Sequence, residues 1–156
     1  MRPSRSILLL FGLKDTEKEA LEKSAASLGV LHRFRVCGRV PRSEFPRFLL
    51  AADILLIPPT LTFPGSICSK LYEYLAAGVP IVSHKAGAND EILHHGKNAF
   101  VISSSDKREY LHYILQILKD PRMASAMGSA AAEDAKKYTW GARAHMLARL
   151  IRSAVH

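Results

Sequence analysis

Glu73 is a lone carboxylate in the run Ser69-Lys-Leu-Tyr-Glu-Tyr-Leu-Ala-Ala-Gly-Val-Pro80, which otherwise reads as a buried helix. Two hydroxyls, Ser66 and Ser69, and one cation, Lys70, lie upstream of it. A helix N-terminus with free backbone N–H groups and the positive end of its dipole favours a phosphate, and serine hydroxyls and a lysine strengthen that preference. Glu73 lies seven residues beyond Ser66, which in a continuous helix is about two turns, roughly 10 Å along one face. An ionised carboxylate can accept both protons of a vicinal diol, so a ligand carrying phosphates and a ribose could span the distance. A plain intrahelical pair of Lys70 with Glu73 is the alternative, worth only ~0.2–0.5 kcal/mol.

The elements that must position these groups alternate between strand and helix. Residues 7–11, 34–37, 53–58, 81–83 and 100–102 are short apolar runs of strand length. Helical periodicity occupies 16–28, with Asp15 as N-cap and Gly29 as stop, 43–52 behind a Ser43 cap, and 67–77, ended by Gly78 and Pro80. A turn with one short helix covers 87–93, and helices over 107–118, 121–137 and 140–154 complete the chain. Such alternation predicts an α/β fold with a parallel sheet flanked by helices, formed by residues 1–156 as one domain. In such sheets ligands bind where strands end and helices begin, which directs attention to the loop 59–66 and the helix after it.

Composition narrows the class further. With 156 residues and 48% hydrophobic content the chain can bury a core. Its 22 Lys+Arg against 14 Asp+Glu give a net charge of +8, which suits an anionic partner. Aromatic residues are not interleaved with Arg33, Arg35 and Arg39, so nucleic acid is not expected. Cys37 and Cys68 are far apart and without CxxC spacing, the usage of two reduced, buried thiols in a cytoplasmic protein. No metal site is expected from His84, His94 and His95, which lack carboxylate or thiolate partners at ligand spacing. Ser66, Ser69 and Ser83 lack a Gly-x-Ser-x-Gly elbow, so a hydrolase triad is not expected. No run approaches the ~20 apolar residues of a membrane span.

Consecutive blocks of the chain resemble the C-terminal domain of glycosyltransferase family 4. They are Arg35-Val-Cys-Gly-Arg-Val40, Phe48-Leu-Leu-Ala-Ala-Asp-Ile-Leu-Leu-Ile-Pro-Pro59, Ser69 to Val82, Gly87-Ala-Asn-Asp-Glu-Ile-Leu93, Gly96-Lys-Asn-Ala-Phe-Val101 and Tyr138-Thr-Trp140. The resemblance implies one Rossmann-like half of a GT-B fold and a nucleoside-diphosphate sugar as donor, with no cofactor and no metal. It makes Glu73 the second glutamate of the E-x7-E signature, which holds the donor ribose, and puts Ser69 and Lys70, with Ser66, near the diphosphate. Gly38, Arg39 and Val40 fall where the family forms part of the base pocket. Asp90 and Glu91 suit a capping role in a first helical turn.

Two departures qualify the match. Eight places before Glu73 stands Gly65, where the family carries its first glutamate. Pro64 and Gly65 would then meet the sugar through backbone groups. The chain also opens on what would be the domain's second strand, without the acceptor domain. The resemblance therefore implies the donor-binding half of a retaining glycosyltransferase, completed by a separate acceptor-binding domain or subunit. A non-catalytic nucleotide-sugar module is the alternative. Relatives that act on lipid-linked acceptors add an expectation of peripheral membrane contact.

Overall fold

The computed structural model describes residues 6–58, 67, 69–85, 87–103 and 106–154, divided into two units, Met1–Phe45 and Pro46–His156. The first unit holds strand β1 (Leu8–Phe11), helix α1 (Asp15–Ser27), a 3-10 turn (Leu31–Arg33) and strand β2 (Phe34–Cys37). The two strands are parallel, with Leu8 opposite Phe34 and Phe11 opposite Cys37. A parallel pair needs a crossover, and α1 supplies it. Gly12 and Gly29 bracket α1 with left-handed φ values of 75° and 69°, conformations that a side chain disfavours. Asp15 is the first residue of α1 and not its cap; Lys14 takes the cap position and its N–H donates to Glu17 Oε2 at 2.8 Å. Both acids still lie in the first turn, where the dipole favours them.

Helix α2 (Phe45–Leu50) begins at the boundary of the units. It is shorter than the expected 43–52, because Glu44 and Phe45 both donate to the Pro41 carbonyl and close a turn over the residues where Ser43 was to cap. Phe45 meets Phe11 edge to face with ring centroids 6.0 Å apart.

The second unit is built on strands β3 (Leu55–Ile57), β4 (Ile81–His84) and β5 (Phe100–Ile102), all parallel and in chain order across the sheet. Helix α3 (Lys70–Ala77) joins β3 to β4, and α4 (Lys107–Lys119) and α5 (Pro121–Ala135) follow β5. A 3-10 turn (Lys136–Tyr138) leads into α6 (Trp140–Ala154), where residues 136 and 137 were expected to continue α5. Central strand β4 buries Ile81, Val82 and Ser83 completely, as parallel strands covered on both faces do. Val82, Phe100, Ile102, Ile117 and Met127 form one apolar cluster, against which Tyr110, Tyr113 and Ile114 of α4 pack.

Caps match the positions at which these helices start. Asp106 Oδ1 accepts from Arg108 N at 2.9 Å to open α4, and Asp120 Oδ1 accepts from Arg122 N and Met123 N to open α5. Pro121, with no N–H to satisfy, fills the first position of α5. Helix α3 packs on α5, and Gly128 comes so close to the end of α3 that an added Cβ would lie 2.1 Å from the Gly78 carbonyl oxygen.

Tyr110 ties α4 to the sheet by donating its hydroxyl to the Ile57 carbonyl at 3.0 Å. Burial raises its pKa to about 12, so the folded state holds the proton more tightly than the unfolded chain with its ordinary value near 10. The resulting stability is complete below pH ~10 and is lost as pH rises toward about 12. Tyr110→Phe should therefore flatten the alkaline limb of a stability–pH curve recorded by denaturant titration; an unchanged limb would remove this role from Tyr110.

Candidate functional site

The three strands of the second unit end at Ile57, His84 and Ile102 on one edge of the sheet, and α3 begins after the first of these ends. Ser69 occupies the cap position of α3 with helical dihedrals and makes no side-chain cap hydrogen bond. Lys70 is the first helical residue, and both side chains are exposed. The helix thus starts three residues later than residue 67, where the apolar pattern had put it. Apolar spacing marks which positions are buried, whereas the helix begins where its hydrogen-bond ladder closes.

This shift alters the geometry at Glu73. The carboxylate lies in the first turn of α3 and not two turns in, within the range over which the dipole favours a negative charge. Its side chain is half-buried, flanked along the helix by Leu71 and Leu75, which are fully buried. Tyr72 rests against Tyr138 with ring centroids 5.5 Å apart. Gly78 ends the helix in the left-handed conformation at φ 66°, its N–H returning to the Leu75 carbonyl at 3.1 Å. Ser69, Lys70 and Glu73 therefore share the cap and first turn of a helix whose apolar positions are buried and whose Ser69 and Lys70 side chains are exposed.

Pro64, Gly65 and Ser66 lie outside the described residues, as does Cys68. Gly38, Arg39 and Val40 follow β2 in the first unit, with Gly38 and Arg39 exposed and Val40 half-buried. Cys37, expected to be buried, is a half-buried free thiol. Asp90 and Glu91 stand in a 3-10 turn (Gly87–Glu91), where Asp90 pairs with Lys85 at 3.4 Å.

The strand ends of β4 and β5 carry a feature that motif reading passed over. A cavity of about 400 Å³ opens there, lined by Lys85, Asp90, Leu93, His95, Val101, Ser103 and Glu109. His95 is held at its wall by Phe100 and Tyr113, at 5.5 and 5.2 Å between ring centroids, with its Nδ1 2.9 Å from the Val101 carbonyl. Val101 lies in β5 and the other lining groups follow β4 or β5 in the chain, a placement that was the available signal. Among the described residues no group of three or more His, Cys, Asp and Glu side chains could hold a metal ion, and no helix is long and apolar enough to cross a membrane.

Behind the strand edge lies a buried polar network. Asn98, fully buried, donates through Nδ2 to the Ile92 carbonyl at 3.0 Å and to Asp134 Oδ2 at 2.9 Å, while its Oδ1 accepts from the His94 N–H at 2.8 Å. Asp134 is 6% exposed and also pairs with Lys137. The Lys137 hydrogen bond, then that of Asn98, holds its carboxyl below the usual carboxylate range.

An α/β unit with a helix tip at the carboxyl edge of a parallel sheet defines a class of ligand-binding domains, and comparison with known proteins makes the class specific. Residues 4–134 match the family described as Glycosyl transferases group 1, and the chain belongs to that family. The GDP-mannose-dependent alpha-(1-6)-phosphatidylinositol monomannoside mannosyltransferase of Mycolicibacterium smegmatis is 30% identical over 138 residues, covering 85% of this chain and 36% of that one. HepE of Anabaena, solved in complex with UDP, superposes with a TM-score of 0.84 at 22% identity, over 97% of this chain and 42% of that one. The C-terminal domain of LpcC, a Glycosyl Transferase Group 1 family protein of Francisella tularensis, superposes with a TM-score of 0.67 at 17% identity, over 81% of this chain and 64% of that one. The fold is that of the C-terminal domain of a GT-B protein, as the resemblance to family 4 implied. The chain spans about a third of the length of the curated relatives it matches.

Proposed function

We propose that this chain is the donor-binding half of a retaining glycosyltransferase and takes a nucleoside-diphosphate sugar at the tip of α3. The observation that carries this reading is the placement of exposed Ser69 and Lys70 and half-buried Glu73 at the cap and first turn of α3, at the carboxyl edge of the sheet, in a chain of this family. In this reading the helix tip, Ser69 and Lys70 stabilise the departing diphosphate, whose charge grows as the sugar bond breaks. Glu73 accepts the ribose diol and fixes the nucleoside. Ser66, Pro64 and Gly65 belong to the segment that approaches the sugar and phosphates, and Gly38, Arg39 and Val40 to the base pocket. Acceptor binding falls to a further domain or subunit, for which the short coverage of the relatives leaves room.

Complexes of HepE with UDP and with UDP-glucose, and a mannosyltransferase named for GDP-mannose, support a nucleotide-sugar ligand. Because these names differ in the base, the test covers several. Calorimetric titration with UDP, GDP and ADP should give binding to one of them. Glu73→Gln should weaken it about tenfold or more, as expected for losing one charge-assisted hydrogen bond. Lys70→Ala should weaken the diphosphate more than the corresponding nucleoside. Unchanged affinity in Glu73→Gln sinks the ribose role, and equal losses for diphosphate and nucleoside remove Lys70 from the phosphate site.

A second reading, a non-catalytic nucleotide-sugar binding module, is favoured by one residue: Gly65 stands at the position of the signature's first glutamate. Sugar transfer on adding an acceptor-binding partner selects the enzyme, and binding without transfer selects the module.

A further inference from the structure

The two ends of α3 are held differently. At its end Gly78 closes the helix with a hydrogen bond to the Leu75 carbonyl and lies against Gly128 of α5. Its first turn, which carries Lys70 and Glu73, opens at Ser69 without a side-chain cap hydrogen bond. A helix of eight residues is too short to be stable alone, so packing must hold that turn. Leu71 and Leu75 are fully buried and, four residues apart, lie on one line along the helix, about which α3 could still roll. Tyr72 stands about 100° round the helix from Leu71 and meets Tyr138, with ring centroids 5.5 Å apart and planes inclined at 50°. That contact lies off the Leu71–Leu75 line, where it opposes a roll.

Tyr138 is itself tied down on both sides. It closes the 3-10 turn Lys136–Tyr138 after α5. Lys137, just before it, bonds to Asp134, whose Oδ2 accepts from Asn98, and Asn98 also holds the Ile92 carbonyl and the His94 N–H. Thr139, just after it, opens α6, its Oγ1 accepting from the Ala142 N–H at 3.1 Å and its carbonyl from the Arg143 N–H at 3.0 Å. We propose that Tyr138 is a positioning residue of the nucleotide site: packed on Tyr72, it sets the roll of α3 and so the direction in which Lys70 and Glu73 are presented. The ring touches no ligand and acts through Tyr72. A diphosphate and a ribose must be met by both side chains at once, and a turn held in place before binding avoids the cost of ordering it then. This inference rests on the donor site proposed for α3.

The full chain is titrated calorimetrically with UDP, GDP and ADP as wild type, Tyr138→Ala and Tyr138→Phe. The alanine variant is expected to bind the nucleotide that the wild type takes about three- to tenfold more weakly, the scale of one aromatic pair. The phenylalanine variant should bind as the wild type does, because the contact is between rings. Tyr72→Ala should cause a similar loss, and the double alanine variant no more than one such loss, since both remove the same contact. Hydrogen exchange gives a readout that needs no ligand. The N–H groups of Glu73 and Tyr74, first rungs of the α3 ladder, should exchange faster in Tyr138→Ala, with those of β4 and α5 unchanged. An alanine variant that binds like the wild type overturns the proposal and leaves the donor site standing. An equal loss in Tyr138→Phe overturns it too, as do additive losses in the double variant. Faster exchange throughout β4 and α5 also overturns it, marking a general loss of stability. A wild type that binds none of the three nucleotides overturns the donor-site reading and this inference with it, an outcome recognised from the wild-type titration alone.

Discussion

Gly128→Ala is expected to destabilise the protein by about 2–3 kcal/mol, the cost of forcing atoms into a packed interior. Helix propensity alone makes the opposite forecast, since alanine in place of glycine inside a helix stabilises by roughly 0.5–1 kcal/mol. The structure decides the sign. A Cβ at position 128 would sit 2.1 Å from the oxygen and 2.9 Å from the carbon of the Gly78 carbonyl. Those are backbone atoms at a left-handed helix end, so no rotamer change relieves the overlap and α3 must move away from α5. Denaturant titration measures the effect, with Ser129→Ala, at an exposed neighbour on α5, as the control for propensity. A stabilised Gly128→Ala protein would refute the close approach. Because α3 carries Ser69, Lys70 and Glu73, a displaced α3 should also weaken nucleotide binding, which links this packing contact to the candidate site.

Asn98→Ala should cost a comparable amount, about 3 kcal/mol, because it strips partners from buried groups at once. The side chain joins the Ile92 carbonyl, the His94 N–H and the Asp134 carboxylate. Without it Asp134, at 6% exposure, retains Lys137 alone among the partners described above. The same network sets an acid limb. A carboxyl whose folded pKa is depressed adds stability above its unfolded value near 4 and loses that stability as pH falls through the lower folded value. Unfolding free energy measured from neutral pH downward should therefore fall below pH ~4 in the wild type and fall less in Asp134→Asn. Parallel curves would mean that Asp134 does not titrate differently in the two states.

The strands and most helices were legible because each is announced locally. Trp140–Ala154 and Phe100–Ile102 have the bounds that periodicity predicted, and the Asp120–Pro121 pair marks the start of α5 by capping chemistry visible in two residues. Ser43 and residue 67 misled for a common reason: a good capping residue or an apolar position says nothing about which carbonyl the next N–H groups find. Glu73 could be singled out as the lone carboxylate on an apolar helix, but its depth in the helix depended on that missed start. Gly128 and the Asn98–Asp134 pair were silent in the sequence, since their meaning lies in neighbours 50 and 36 positions away, respectively. The cavity beside His95 was signalled only by the position of its residues around the ends of β4 and β5, with Val101 in β5 itself.

The order of strands in the second unit bears on how that unit comes to exist. β3, β4 and β5 lie side by side in the order in which they occur along the chain, so every strand pairs with the one made just before or after it. Loop-closure entropy rises with the length of chain enclosed, and sheets whose partners are sequence neighbours keep mean contact separation low for a parallel topology. Assembly can proceed outward from β4, whose two neighbours are also its nearest strands in sequence, with α3 arriving as part of the β3–β4 connection. The turn that presents Ser69, Lys70 and Glu73 thus belongs to a connection between two strands that are neighbours both in the sheet and in the chain.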